Sequence, residues 1–89
     1  MKRIINTILA ILFTATVFAQ GDLLQKANEL YTKDQFKQAI DVYNQILITN
    51  MESPEVYFNL ANAYYKTGQY TQAILNYERA KLLAPDDED

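Results

Sequence analysis

The chain has 89 residues, with 8 basic side chains against 11 acidic ones, a net charge of −3, two glycines, and neither histidine nor cysteine. That composition excludes zinc-type metal sites, His- or Cys-based nucleophiles and any disulfide. The acidic balance, with no basic patch to offset it, disfavours nucleic acid and anionic lipid as partners.

The first element reads as an address. Lys2 and Arg3 precede an apolar run of 15 residues, Ile4 to Phe18, which ends in Val17-Phe18-Ala19-Gln20. A basic start, an apolar stretch and small residues at a cleavage position make a secretory signal of residues 1–19, cut after Ala19. The alternative is an uncleaved membrane anchor, but the run is shorter than the roughly 17–25 residues that span a bilayer. Cleavage would leave six basic and eleven acidic residues, a net charge of −5, and one domain with a thin core. The expected location is therefore exported and periplasmic, or inner-membrane associated if the signal stays.

Four amphipathic helices follow, at about Asp22–Lys33, Phe36–Thr49, Pro54–Thr67 and Tyr70–Leu83. Ser53 suits the cap of the third, Pro54 its first position, and Glu55 the positive end of its dipole. Gly68 can take the left-handed conformation that ends the third helix, and Asp34 stands in the same place after the first. Pro85 stops the fourth. The short turns after the first and third helices dictate antiparallel hairpins.

The two hairpins are copies of each other. A shift of 34 residues pairs Ala27 with Ala61, Asn28 with Asn62, Tyr31 with Tyr65, Gln35 with Gln69, Ala39 with Ala73, Ile40 with Ile74 and Tyr43 with Tyr77. Leu24/Phe58 and Phe36/Tyr70 are near-matches. Leu23, Ala27 and Leu30, like Tyr57, Ala61 and Tyr64, recur at i, i+4, i+7 and mark one buried stripe per first helix. Ala27, Ala39, Ala61 and Ala73 are small where helices must approach closely. Tyr43 and Tyr77 fill the space between hairpins and need a wet or bonded hydroxyl.

A second stripe lies one residue round from the first. Leu24, Asn28 and Tyr31 form it in the first copy, and Phe58, Asn62 and Tyr65 repeat it, flanked by Asn59 and Lys66. An apolar group, an amide and a phenol at matched spacing read as a groove for a peptide: amides donate and accept toward a backbone, and aromatic rings supply rigid contact area. The competing reading is that these are solvated helix residues carried along by duplication, their rings packing locally. Nothing else suggests chemistry. Ser53, the only serine, reads as a helix cap, the acids are scattered over polar faces, and Asp86-Asp87-Glu88-Asp89 reads as a solvated tail or the start of a missing helix. No enzyme activity, metal or cofactor is expected.

The period of 34 residues and the residues Tyr57, Leu60, Ala61, Tyr64, Ala73, Tyr77 and Pro85 resemble the tetratricopeptide repeat (TPR), with its W-x2-L-G-x2-Y signature. The first copy departs from that pattern: Lys26 replaces the leucine, as suits the outer edge of an array, and no proline closes the repeat. The resemblance implies an all-α fold, two TPR hairpins at 20–53 and 54–87 stacked as a short right-handed α-solenoid behind a signal-peptide helix. It also implies an open surface for a protein partner. Beyond the repeat, a signal ending in FAQ followed by LLQKANELYTKDQFKQAIDVYNQIL and SPEVYFNLANAYYKTGQYTQAILNYERAKLLAPDDED is similar to the N-terminal part of BatE-type TPR proteins of the Bacteroides aerotolerance operon. In that family more helix, a membrane segment and an SH3-like domain follow, so the resemblance implies a fragment or a truncated product. It also implies envelope proteins, von Willebrand A-type membrane proteins among them, as partners. Asn28 and Asn59 match two places of the carboxylate clamp seen in chaperone-binding TPR domains, but Leu24 stands where that clamp has a lysine.

Two functions are expected from these features. The first is an exported protein–protein interaction module that docks an envelope partner, in an aerotolerance or stress-related complex by resemblance. The second is a structural spacer or assembly fragment of a longer membrane-anchored TPR protein. Because two hairpins lack the neighbours that bury a repeat's faces, Ile74, Ala80 and part of Leu83 should face solvent, and the chain should be marginally stable or self-associate.

Overall fold

The computed structural model describes residues 21–84, and the proposed signal segment, Pro85 and the acidic tail lie outside them. Helix α1 covers 21–32 of the described residues, followed by α2 (Phe36–Ile48), α3 (Pro54–Lys66) and α4 (Tyr70–Leu83). There is no strand among the described residues. No helix among them is long and apolar enough to cross a membrane.

The punctuation follows local chemistry. The Ser53 side chain accepts a hydrogen bond from the Val56 amide at 3.1 Å, with Pro54 and Glu55 in the first turn of α3. At the other ends one motif recurs three times. Asp34 (φ 61°), Asn50 (φ 63°) and Gly68 (φ 79°) are all left-handed. Their own amides bond back to Tyr31, Leu47 and Tyr65, and the following amides reach Leu30, Ile46 and Tyr64. This is the Schellman closure, which satisfies carbonyls that the helix leaves open. The sequence reading identified Asp34 and Gly68 but not Asn50.

Helices α2 and α4 each pack on α3 and not on each other. The main core joins the first three helices through Ala27, Ala39, Ile40, Val42, Tyr43, Ile46, Val56, Leu60 and Ala63, with Leu23, Leu30 and Tyr64 against its edge. All four alanines predicted at close helix contacts are buried. Ala80, expected to face solvent, is buried instead: its side chain ends at Cβ and stays within the α3/α4 contact, whereas the longer Ile74 and Leu83 do extend into solvent.

One buried residue breaks the repeat. Asn76 lies fully inside α4 where the first copy has Val42. Its amide donates to the Gln72 carbonyl at 2.8 Å, and its oxygen accepts from Arg79 at 3.5 Å, so no buried side-chain polar atom among the described residues is left without a partner.

Candidate functional site: the face shared by α1 and α3

Asn28 is the pivot of this face. Its Oδ1 accepts from the Tyr43 hydroxyl on α2 and from Asn59 Nδ2 on α3, the latter at 3.2 Å. The first bond lies within one hairpin, and the second crosses from one repeat to the next. The same internal bond recurs in the second copy, where the Tyr77 hydroxyl donates to Asn62 Oδ1. The sequence carried this signal as two Asn–Tyr pairs 15 residues apart, Asn28/Tyr43 and Asn62/Tyr77. Read one residue at a time, the sequence does not show the pairing, because it links two different helices.

Burial of the Tyr43 ring pushes its hydroxyl up to about 12, against a partial lowering by the Asn59 amide and a small rise from Glu55. Tyr77 is raised for the same first reason. Both phenols therefore stay protonated and donating at any ordinary pH, which holds the carbonyl ends of the two asparagines inward.

A hollow of about 190 Å³ opens between Asn28, Tyr31, Thr32, Tyr43 and Asn59. Asn59 is also a wall of a larger cleft of about 570 Å³, lined by Pro54, Glu55, Phe58, Tyr77, Ala80, Lys81 and Ala84. Leu24 and Asn28 border a third, shallower depression of about 420 Å³ along α1. Leu24, Asn28, Tyr31 and Asn59 are thus brought into neighbouring hollows on one face, and Phe58 lies in the α3/α4 cleft beside it. Asn62 follows Asn59 by one turn of α3 and lines none of the three. Tyr65 and Lys66 sit exposed near the end of α3, also outside these hollows.

The aromatic rings are held by their neighbours rather than loose. Tyr31 meets Phe36 edge-on at 5.1 Å, Tyr65 meets Tyr70 edge-on at 5.2 Å, and Phe58 leans on Tyr77 at 5.5 Å. Phe58 and Tyr65 nevertheless leave about half their surface open. Fixed, half-open rings beside oriented amides give rigid contact area and directional hydrogen bonds. Among the described residues no group of acidic side chains gathers closely enough to hold a metal ion.

Comparison with known proteins fits this geometry. A tetratricopeptide-repeat family model matches residues 54–87, and a second TPR model matches 27–68. The chain is 33% identical over 67 residues to Protein SGT1 homolog of Oryza sativa subsp. japonica, covering 75% of this chain and 18% of that one. It is 36% identical over 58 residues to Sperm-associated antigen 1 of Mus musculus, and 34% to the Rattus norvegicus protein of the same name, covering 65% of this chain and 6% of each of those. The chain therefore spans less than a fifth of the length of these relatives. The two hairpins, their 34-residue register and the matching family models place residues 27–87 in the tetratricopeptide-repeat family.

Proposed function

We propose that the α1/α3 face docks a segment of a protein partner, with Leu24, Asn28, Tyr31, Phe58, Asn59, Asn62, Tyr65 and Lys66 as its contacts. The observation that carries this reading is the Asn59–Asn28 hydrogen bond, which makes one continuous surface from the stripes of two repeats. The family supports it, since TPR repeats form interaction modules with open binding surfaces. Because the phenols engage the oxygens of Asn28 and Asn62, the NH₂ groups of those two are left to meet carbonyl oxygens of an extended peptide. Asn59 has instead spent its NH₂ on Asn28 and offers its oxygen to a peptide N–H. The test is capture of a partner by the chain and by a Tyr31→Ala/Asn59→Ala variant. Weaker capture at unchanged helicity supports the docking face, and equal capture removes it.

The finer reading is an exported module that meets an envelope protein, arranged as a right-handed repeat stack of the BatE type. It rests on residues 1–19 and on the order of the sequence that follows. Mass determination of the protein from its source cells tests export: loss of residues 1–19 from an envelope fraction supports it, and an intact N-terminus in the cytosol opposes it. A second reading, an assembly piece, is favoured by a separate observation, the exposure of Ile74 on α4.

A further inference from the structure

The α3/α4 cleft has a counterpart inside the molecule, and the 34-residue register measures the difference. Ile40 is 8% exposed while Ile74 is 62% exposed, and Tyr43 is 1% exposed while Tyr77 is only half-buried. In the first repeat the cover is α3, whose Val56, Leu60 and Ala63 share the core with Ile40, Tyr43 and Ile46. In the second repeat the corresponding surface is open among the described residues. Phe58, Tyr77 and Ala80 line it, and Ile74 stands one turn before Tyr77.

The front of a second copy is a poor cover for this surface. The positions on α1 that correspond to Val56, Leu60 and Ala63 are Asp22, Lys26 and Glu29, all exposed. Stacking front to back would bury three charges against apolar groups, at a large desolvation cost. Among the described residues the two ends of the stack are therefore unlike, the front charged and the back apolar. The edges of the cleft carry opposite charges, Glu55 from α3 and Lys81 from α4. A two-fold axis through the cleft sets the Glu55 edge of one copy over the Lys81 edge of the other, so the face is complementary to itself. An apolar centre with a charged rim is also the anatomy of a protein interface.

We propose that this end face is a dimer interface, α4 packing on α4 of a second copy about a two-fold axis, with Glu55 and Lys81 paired across it. The outer side of α4 is not part of the contact. Leu82 is 77% exposed and its counterpart Ile48 is 80% exposed, so that side stays open in both repeats whether or not a helix follows.

Sedimentation of the full 89-residue chain from micromolar to millimolar concentration, with helicity followed by circular dichroism, tests this. The chain should dimerise. Ile74→Glu should weaken the dimer by about tenfold or more, a change of about 1.4 kcal/mol, while Leu82→Glu leaves it intact. Glu55→Lys and Lys81→Glu should each weaken it, and the double variant should restore it. A chain that stays monomeric throughout overturns the proposal. So does an association that survives Ile74→Glu, which would place the contact elsewhere, the apolar run Ile4–Phe18 included. Failure of the double reversal to rescue, at native helicity, overturns the two-fold pairing.

Discussion

The Tyr43 hydroxyl and the Asn28 carboxamide explain each other. A phenol buried to this degree needs an acceptor, and an asparagine on an otherwise apolar stripe needs a donor. Tyr43→Phe should cost about 1 kcal/mol, because Asn28 keeps its bond from Asn59. Urea melts of the two proteins measure it. The same residue sets an alkaline limit. Tyr43 is raised from 10.0 to about 12 by burial, so the folded state holds this proton more tightly than the unfolded state. Its contribution to stability is complete below pH 10 and is lost as pH rises through 12. The melting temperature should fall over that window, and Tyr43→Phe should flatten the fall. Asn76 poses the opposite case. It is a buried amide where the first repeat has Val42, and its acceptor bond to Arg79 is long. Asn76→Val should be neutral or stabilise by up to about 1 kcal/mol, since the Gln72 carbonyl stays in the helical ladder and Arg79 faces solvent. Neither feature was legible residue by residue. The sequence showed that Tyr43 needed a partner, but naming Asn28 required the two helices to be placed side by side.

Helix ends were the most legible element of the fold where their chemistry is local. The Ser53-Pro54-Glu55 start of α3 follows from side-chain reach and a fixed φ, and tertiary contacts have little say in it. Ser53→Ala should cost about 1 kcal/mol by removing the bond to the Val56 amide. The left-handed ends make a matched pair. Gly68→Ala should destabilise by about 1–2 kcal/mol, because a Cβ opposes the positive φ even though open space surrounds it. Asp34→Gly should stabilise by a smaller amount at the same position of the first hairpin. Thermal melts of the two variants, moving in opposite directions, check the motif. Asn50 escaped the sequence reading because α2 ends at a junction between repeats, and the 34-residue register gives it no partner of the same type: its counterpart is Ala84. Helix face alone does not decide exposure at Ala80, which is buried while Ile74 is open. A side chain that stops at Cβ stays covered by the helix it packs on.

At the scale of the molecule, repetition with a fixed offset is what made the architecture readable. The duplicated alanines required close helix approach, and the short turns required hairpins. Ala61→Leu or Ala73→Leu should each cost about 1–3 kcal/mol by overpacking the α3/α4 contact. The same repetition made the two ends of the stack comparable and revealed that they differ, with charged residues on α1 where α3 carries Val56, Leu60 and Ala63. What the sequence could not provide was the link between repeats on the α1/α3 face. Asn59 looked like a flanking residue, but it bridges the copies through Asn28 and walls two hollows at once. The proposed docking face therefore stands on a long-range contact that no local pattern encodes. Site-specific photocrosslinking in the source cells tests it most directly. A photoreactive phenylalanine analogue would replace Tyr31 on the shared face in one protein and Ile48 on the outer side in another. The account predicts a discrete adduct with another protein from position 31 and none from position 48. The same adducts from both positions, or adducts from position 48 alone, would contradict it.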